Sequence, residues 1–224
     1  MTRIEPLLIP GPAGLLEALL EYDPKTIPAH CAVVCHPHPL FGGTMHTKAV
    51  FRAAKAAALE GIPTLRFNFR GVGKSQGTHD RGDGEQGDAR AALNFLALRY
   101  PGSTAIMMGF SFGSVVGLRV GAADPRVFAL VGMGLPVKSY DYSYLEASQK
   151  PKLFVEGTED EYGPRTQVEE LVARFAPPKR LEWIEGADHF FTGKLEEYQQ
   201  VIRAFIREIV SQPHPPRGEE LPHV

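Results

Sequence analysis

Short apolar runs alternate with helical patterns along most of this chain, and that alternation constrains the fold more than any other feature. The runs Cys31–His36, Pro63–Phe69 and Thr104–Phe110 each precede a segment with helical spacing or helix-forming composition. A strand that is apolar throughout is buried on both faces, as in a parallel sheet covered by helices. The pattern therefore predicts an α/β fold with a central, mostly parallel, twisted sheet and helices on both faces.

Glycine and proline residues mark the boundaries of the remaining predicted strands and helices. Two opening strands, Ile4–Ile9 and Leu15–Tyr22, are expected to pair antiparallel across a Pro-Gly-Pro turn. The other predicted strands are Val127–Met133, Lys152–Glu156 and Arg180–Ile184, and the predicted helices are Thr44–Glu60, Gln86–Arg99, Phe112–Ala123, Arg165–Phe175 and Leu195–Val210. We expect residues 1–211 to form a single domain. Residues 212–224, with four prolines and no apolar period, are expected to be a disordered tail.

Composition and charge narrow the classes of function. The formal net charge is −2 and no basic cluster is present, so we expect no nucleic acid partner. No apolar stretch approaches the roughly 18 residues of a membrane span. The N-terminal residues also lack the apolar run of a secretory signal, so a cytoplasmic protein without a membrane partner is expected. Cys31 and Cys35 lie on one predicted strand with Cα atoms about 13 Å apart, too far for a disulfide.

Residues 109–113, Gly-Phe-Ser-Phe-Gly, match the pattern G-x-S-x-G directly between a buried strand and a helix. On such a tight turn the serine takes a strained backbone conformation and projects its hydroxyl out of the sheet. The flanking glycines let the helix and the neighbouring strands approach closely enough to permit the turn. This context predicts that Ser111 is a nucleophile.

A serine hydroxyl is a weak nucleophile at neutral pH and needs a base to remove its proton. Of the eight histidines, only His189 follows a predicted strand late in the sheet, where its loop can reach the ligand crevice. A carboxylate must in turn orient this base and stabilise its charged form. Glu159, Asp160 and Glu161 are the candidates, and Asp160 is favoured because the two glutamates suit a solvent-facing helix entrance.

Acyl transfer also requires backbone N–H groups that point at the developing oxyanion. One is expected from Phe112, the residue after the nucleophile. The second is expected from the loop of residues 36–43, whose prolines carry no N–H, so the donor is His38, Leu40 or a later residue, and Leu40 is favoured. The two histidines of this loop lack the further ligand spacing of a metal site, and we expect them to pack and hydrogen-bond within the loop.

Five segments together resemble the small, compact α/β-hydrolases related to dienelactone-hydrolase-like esterases. They are CHPHPLFGGTM, LRFNFRGVGKSQG, GFSFG, GTED and GADHFF, and the resemblance runs from about Ile4 to Val210. It implies the α/β-hydrolase fold without a large cap domain and a Ser111, Asp160, His189 triad in the chain order that this fold uses. True dienelactone hydrolases carry a cysteine nucleophile, so the serine favours general ester hydrolysis over lactone opening.

The expected activity is hydrolysis of small-molecule carboxylic esters through an acyl-enzyme, with no metal or organic cofactor. The segment 134–150 is too short for the helical cap of many lipases, which predicts an open crevice and short or accessible acyl groups. The candidate lining residues are Tyr140, Tyr142, Tyr144, Phe41, Phe190 and Phe191. The alternatives are a thioesterase or small-peptide (amide) hydrolase with the same triad, and an inactive interaction module on the same fold.

Overall fold

Eight strands form one continuous sheet in the computed structural model, which describes residues 2–211. The strands are β1 (Arg3–Gly11), β2 (Gly14–Tyr22), β3 (His30–Cys35), β4 (Thr64–Phe67), β5 (Thr104–Phe110), β6 (Val127–Met133), β7 (Lys152–Gly157) and β8 (Lys179–Ile184). Their order across the sheet is β1-β2-β4-β3-β5-β6-β7-β8. The pairs β1–β2 and β2–β4 are antiparallel and all the others are parallel. The predicted mostly parallel sheet is confirmed; the predicted tail, 212–224, lies outside the described residues.

Helices cover both faces of the sheet over the described range. They are α1 (Lys48–Leu59), α2 (Asp83–Arg99), α3 (Phe112–Ala123), α4 (Arg165–Arg174) and α5 (Leu195–Ser211). Helices α1 and α5 pack on one face, and α2, α3 and α4 pack on the other. Neighbouring residues of β5 divide between the two cores, Met107 facing the α3 side and Met108 the α1 side, which explains why the strand is apolar throughout. No helix within residues 2–211 is long and apolar enough to cross a membrane.

Two helices begin at residues other than those predicted, because side chains hydrogen-bond to the backbone beside their first turns. Helix α1 begins at Lys48 and not at Thr44: the Thr44 N–H donates to Thr47 Oγ1, and the Thr47 N–H donates to the Thr44 carbonyl. Helix α2 begins earlier than predicted, at Asp83. The Glu85 carboxylate accepts two backbone N–H groups just before this helix and so stabilises its start.

The imidazole of His36 joins the carboxyl ends of β3 and β4. Its Nε2 accepts the Phe69 N–H at 2.9 Å, so the proton is on Nδ1, which donates to the Pro37 carbonyl at 2.6 Å. Because Phe69 bonds to this side chain and not to a neighbouring strand, β4 ends at Phe67, two residues earlier than predicted. The ring is fully buried, and burial lowers the pKa of His36 to about 4.

We expect the free energy of unfolding to fall as the pH drops from about 6.5 towards 4, because His36 resists protonation in the folded state. In the unfolded chain an imidazole has a pKa of about 6.5, so between these values only the unfolded state binds the proton. This stabilisation is complete above about pH 6.5 and is lost as the pH falls, by at most about 3 kcal/mol. Urea unfolding at pH 7.5 and pH 4.5 measures it.

The matched variants for this prediction are His36→Gln and His46→Gln. The His36 variant carries one amide donor and one acceptor but cannot be protonated in this pH range, so it should lose much of the pH dependence. His46 is exposed, so its variant should behave as the wild type. Equal pH dependence in the wild type and in His36→Gln would contradict the assignment.

Candidate active site

Ser111 lies on the turn between β5 and α3 with φ 54° and ψ −125°, a strained conformation for any residue with a Cβ atom. A Cβ atom at Gly109 would lie 2.2 Å from the Gly113 carbonyl oxygen, and one at Gly113 would lie 2.3 Å from that of Cys35. Both positions therefore require glycine. The predicted strand, tight turn and helix are present with the predicted bounds.

Ser114 supports this turn from within α3. Its N–H and its hydroxyl both donate to the Ser111 carbonyl, at 2.8 Å and 2.6 Å. The Tyr142 hydroxyl lies 2.7 Å from Ser114 Oγ and donates to it, since that oxygen already donates to Ser111. Tyr142 is fully buried and supports the turn at Ser111 through Ser114. The expectation that it lines the crevice is therefore wrong.

A continuous hydrogen-bonded chain joins Asp160, His189 and Ser111. Nε2 of His189 lies 2.9 Å from Ser111 Oγ, and its Nδ1 lies 2.7 Å from Asp160 Oδ2. The other Asp160 oxygen accepts the N–H groups of Tyr162 at 2.8 Å and Gly163 at 3.3 Å. In this arrangement the Asp160 carboxylate can accept the proton of Nδ1, which makes Nε2 the nitrogen that can accept a proton from a serine hydroxyl.

The loops that carry Asp160 and His189 contact each other closely. The Glu159 N–H donates to the Ala187 carbonyl at 2.9 Å, and a Cβ atom at Gly157 would lie 2.3 Å from the same oxygen. Only backbone without a side chain fits between the two loops at this point. The side chains of Glu159 and Glu161, the alternative acids, are exposed to solvent, whereas Asp160 is buried.

Three aromatic rings surround the imidazole of His189. The ring centroids of Phe110 and Phe190 lie 5.2 Å from it, and that of Tyr162 lies 4.6 Å away. The rings restrict the orientation of the imidazole and reduce its contact with water. Sequence reasoning missed Tyr162, because it lies on an irregular segment after the acid and carries no motif.

Glu156, at the end of β7, is a second buried carboxyl group near Asp160. Both of its oxygens lie 3.0 Å from the Leu135 N–H. Burial, and then the charge of Asp160, raises the pKa of Glu156 well above its usual range. This shift favours the neutral form of Glu156, the form that adds no negative charge beside the carboxylate that contacts His189.

The hydrogen bonds of the backbone N–H groups near Ser111 do not fit the expectation that Leu40 provides the second donor to an oxyanion. Phe112 is the first residue of α3, so its N–H has no acceptor within the helix. The Leu40 N–H, however, donates to Nδ1 of His38 at 3.2 Å, and the N–H groups of residues 41–43 donate to carbonyls of the same loop. Within residues 38–43 only the His38 N–H has no partner in the described chain, so it replaces Leu40 as the second candidate donor.

A cavity of about 230 Å³ opens beside the Ser111 hydroxyl. It is lined by Pro37, His38, Phe41, Gly42, Gly43, Thr47, Ser111, Tyr162, His189 and Phe190. Of the six expected lining aromatics, Phe41 and Phe190 do line it, and the three tyrosines and Phe191 do not. The segment 134–150 contains a single 3₁₀ turn (Ser143–Leu145) that packs on α3, so the absence of a large cap over the described residues is confirmed.

Comparison with known proteins finds relatives over most of the chain. A profile of the alpha/beta hydrolase domain matches residues 32–211. The uncharacterized protein RP471 of Rickettsia prowazekii is 36% identical over 214 residues, which are 91% of this chain and 89% of that protein.

Solved structures of two relatives illustrate the match, each with sequence identity above 30% and close structural similarity. An alpha-beta serine hydrolase homologue from Coxiella burnetii is 38% identical with a TM-score of 0.84, over 89% of this chain and 96% of that one. XC6422 from Xanthomonas campestris, a serine hydrolase without a lid, is 33% identical with a TM-score of 0.85, over 96% and 97% of the two chains. Together with the match to the family profile, these similarities show that the chain belongs to the alpha/beta hydrolase family.

Proposed function

We propose that this hydrolase is a serine esterase that cleaves small carboxylic esters through an acyl-enzyme. Its nucleophile is Ser111, its base is His189 and the acid that orients the base is Asp160. The observation that carries the proposal is the hydrogen-bonded chain from Asp160 through His189 to Ser111, which ends at an open cavity. The Coxiella and Xanthomonas relatives, described as serine hydrolases, support it.

The reaction begins when Ser111 Oγ attacks the ester carbonyl carbon and its proton passes to Nε2 of His189. The N–H groups of Phe112 and His38 stabilise the negative oxygen that forms. The bond from carbon to the alcohol oxygen then breaks, and the proton on Nε2 passes to that oxygen. Asp160 stabilises the charged imidazole throughout. Water repeats the sequence on the acyl-enzyme and releases the acid.

Ser111→Ala should abolish both esterase activity and labelling by a fluorophosphonate, because it removes the hydroxyl that attacks the carbonyl in the proposed reaction. Intact-mass spectrometry with peptide mapping locates the adduct in the wild type. Ser139→Ala changes an exposed serine of the segment 134–150 and should label normally. An adduct on Ser75 or Ser114, or cleavage of acyl thioesters but not of the matching esters, would contradict the proposal.

Asp160→Asn should preserve the fold but present the wrong hydrogen-bonding group to Nδ1 of His189. We expect kcat to fall by up to about 10⁴-fold, the size of the effect in the serine protease triad. Glu159→Gln and Glu161→Gln remove exposed carboxylates and should change kcat little. Steady-state kinetics on p-nitrophenyl acetate compares the three variants. If Glu159→Gln is instead the inactive variant, the acid is misassigned.

His38→Pro should lower kcat by about 10²- to 10³-fold, because it removes one of the two N–H groups proposed to bind the oxyanion. The φ angle of His38 is −57°, which proline adopts without strain. His38→Ala is the matched control, since it removes the same side chain but keeps the N–H group. Equal activity of the two variants would exclude a role for this N–H group.

The rate for different acyl groups should peak at short chains, because no cap provides walls for a long one. Each buried CH₂ contributes about 0.8 kcal/mol, or roughly fourfold in kcat/KM, only where it leaves water. Across p-nitrophenyl esters from acetate to palmitate we expect a maximum at about two to six acyl carbons. The rate should show no jump at the solubility limit of the substrate. A maximum at about twelve acyl carbons or more would show that the acyl site is not open.

A further inference from the structure

A second cavity lies beside the one that Ser111 lines. It has a volume of about 270 Å³ and lies between the start of α1 and the residues that precede α5. Two residues, Thr47 and Phe190, line both cavities. The other lining residues of the second cavity are Lys48, Ala49, Thr192, Gly193 and Leu195. The shared residues make the two cavities neighbours, with Thr47 and Phe190 between them.

The walls of the second cavity favour an apolar occupant. Phe190 and Leu195 contribute large apolar side chains, and Ala49 is part of the hydrophobic core under α1. The Thr47 hydroxyl already accepts the Thr44 N–H, so it is partly satisfied within the chain. A hydrocarbon or aromatic group therefore gains more from entering this cavity than a strongly hydrated one does.

The proton transfer at His189 determines which half of an ester lies towards the second cavity. The proton on Nε2 passes to the alcohol oxygen as its bond to carbon breaks, so that oxygen must lie within hydrogen-bonding distance of Nε2. Phe190 directly follows His189, and its ring packs edge-on against the imidazole with centroids 5.2 Å apart. Because Phe190 lines both cavities, a group attached to the alcohol oxygen at Nε2 can reach the second cavity along this ring.

We propose that the second cavity binds the alcohol half of the substrate, and that the enzyme acts on esters of short acids with extended, apolar alcohols. This inference rests on the proposed esterase reaction and adds a substrate class to it. In this arrangement the acyl half of the ester lies in the first cavity, which is open to solvent. The alcohol half lies along Phe190 and occupies the second cavity.

The test varies the alcohol while the acyl group stays fixed. With ethyl, butyl, hexyl and octyl acetate, kcat/KM should rise about two- to fourfold per methylene until the cavity is filled. Leu195→Ala removes an apolar wall and should flatten this rise. Thr192→Trp narrows the cavity from its exposed side and should slow octyl acetate more than ethyl acetate. Leu59→Ala, at the far end of α1, is the matched control and should keep the wild-type profile.

The outcomes separate this inference from the esterase proposal. If fluorophosphonate labels Ser111 and ethyl acetate is hydrolysed, but the rate does not depend on alcohol length, the second cavity is not an alcohol site and the esterase proposal stands. A rise that is equally steep in the wild type, Leu195→Ala and Thr192→Trp would also overturn the inference. If Ser111 is not labelled and no ester is hydrolysed, both proposals fail.

Discussion

The close approach of the α3 backbone to β3 and β5 is the constraint on which the rest of the site depends. It is possible only because Gly109 and Gly113 lack side chains, and it forces Ser111 into its positive-φ conformation. The strain is offset by the hydrogen bonds that Ser114 donates to the Ser111 carbonyl and by the Tyr142 hydroxyl behind them. The same turn begins α3, which leaves the Phe112 N–H free beside the serine hydroxyl.

Parallel strands bring the remaining groups to the same edge of the sheet. The loops after β3, β5, β7 and β8 contribute His38, Ser111, Asp160 and His189, in that order. Residues far apart in the chain meet because the carboxyl ends of parallel strands share one edge. Contacts between the loops then set the distances: the Ala187 carbonyl fits against Gly157, and the Asp160 carboxylate is held by two backbone N–H groups as well as by His189.

Most of the architecture could be predicted from the sequence, because apolar runs and glycine or proline boundaries are local signals. The bounds of β5, α3 and β6 agree with the prediction residue for residue, and the structure brings Ser111, Asp160 and His189 together. The hydrogen bond of the Leu40 N–H could not be predicted in this way, because this group finds an acceptor only when its loop folds back on His38. Contacts between distant segments, such as that of Tyr142 with Ser114, also cannot be predicted, because they produce no periodic pattern in the sequence.

The burial of Tyr142 has a consequence for attempts to engineer a lid into this protein. The connection between β6 and β7 supplies the hydroxyl that supports the turn at Ser111, and it is the segment in which an added lid would have to be inserted. An insertion that moved Tyr142 would weaken that support even if the inserted helices folded well. A graft placed after the 3₁₀ turn, at residues 146–150, would leave the contact with Ser114 intact, so the length of the connection can change while its anchor to α3 stays fixed.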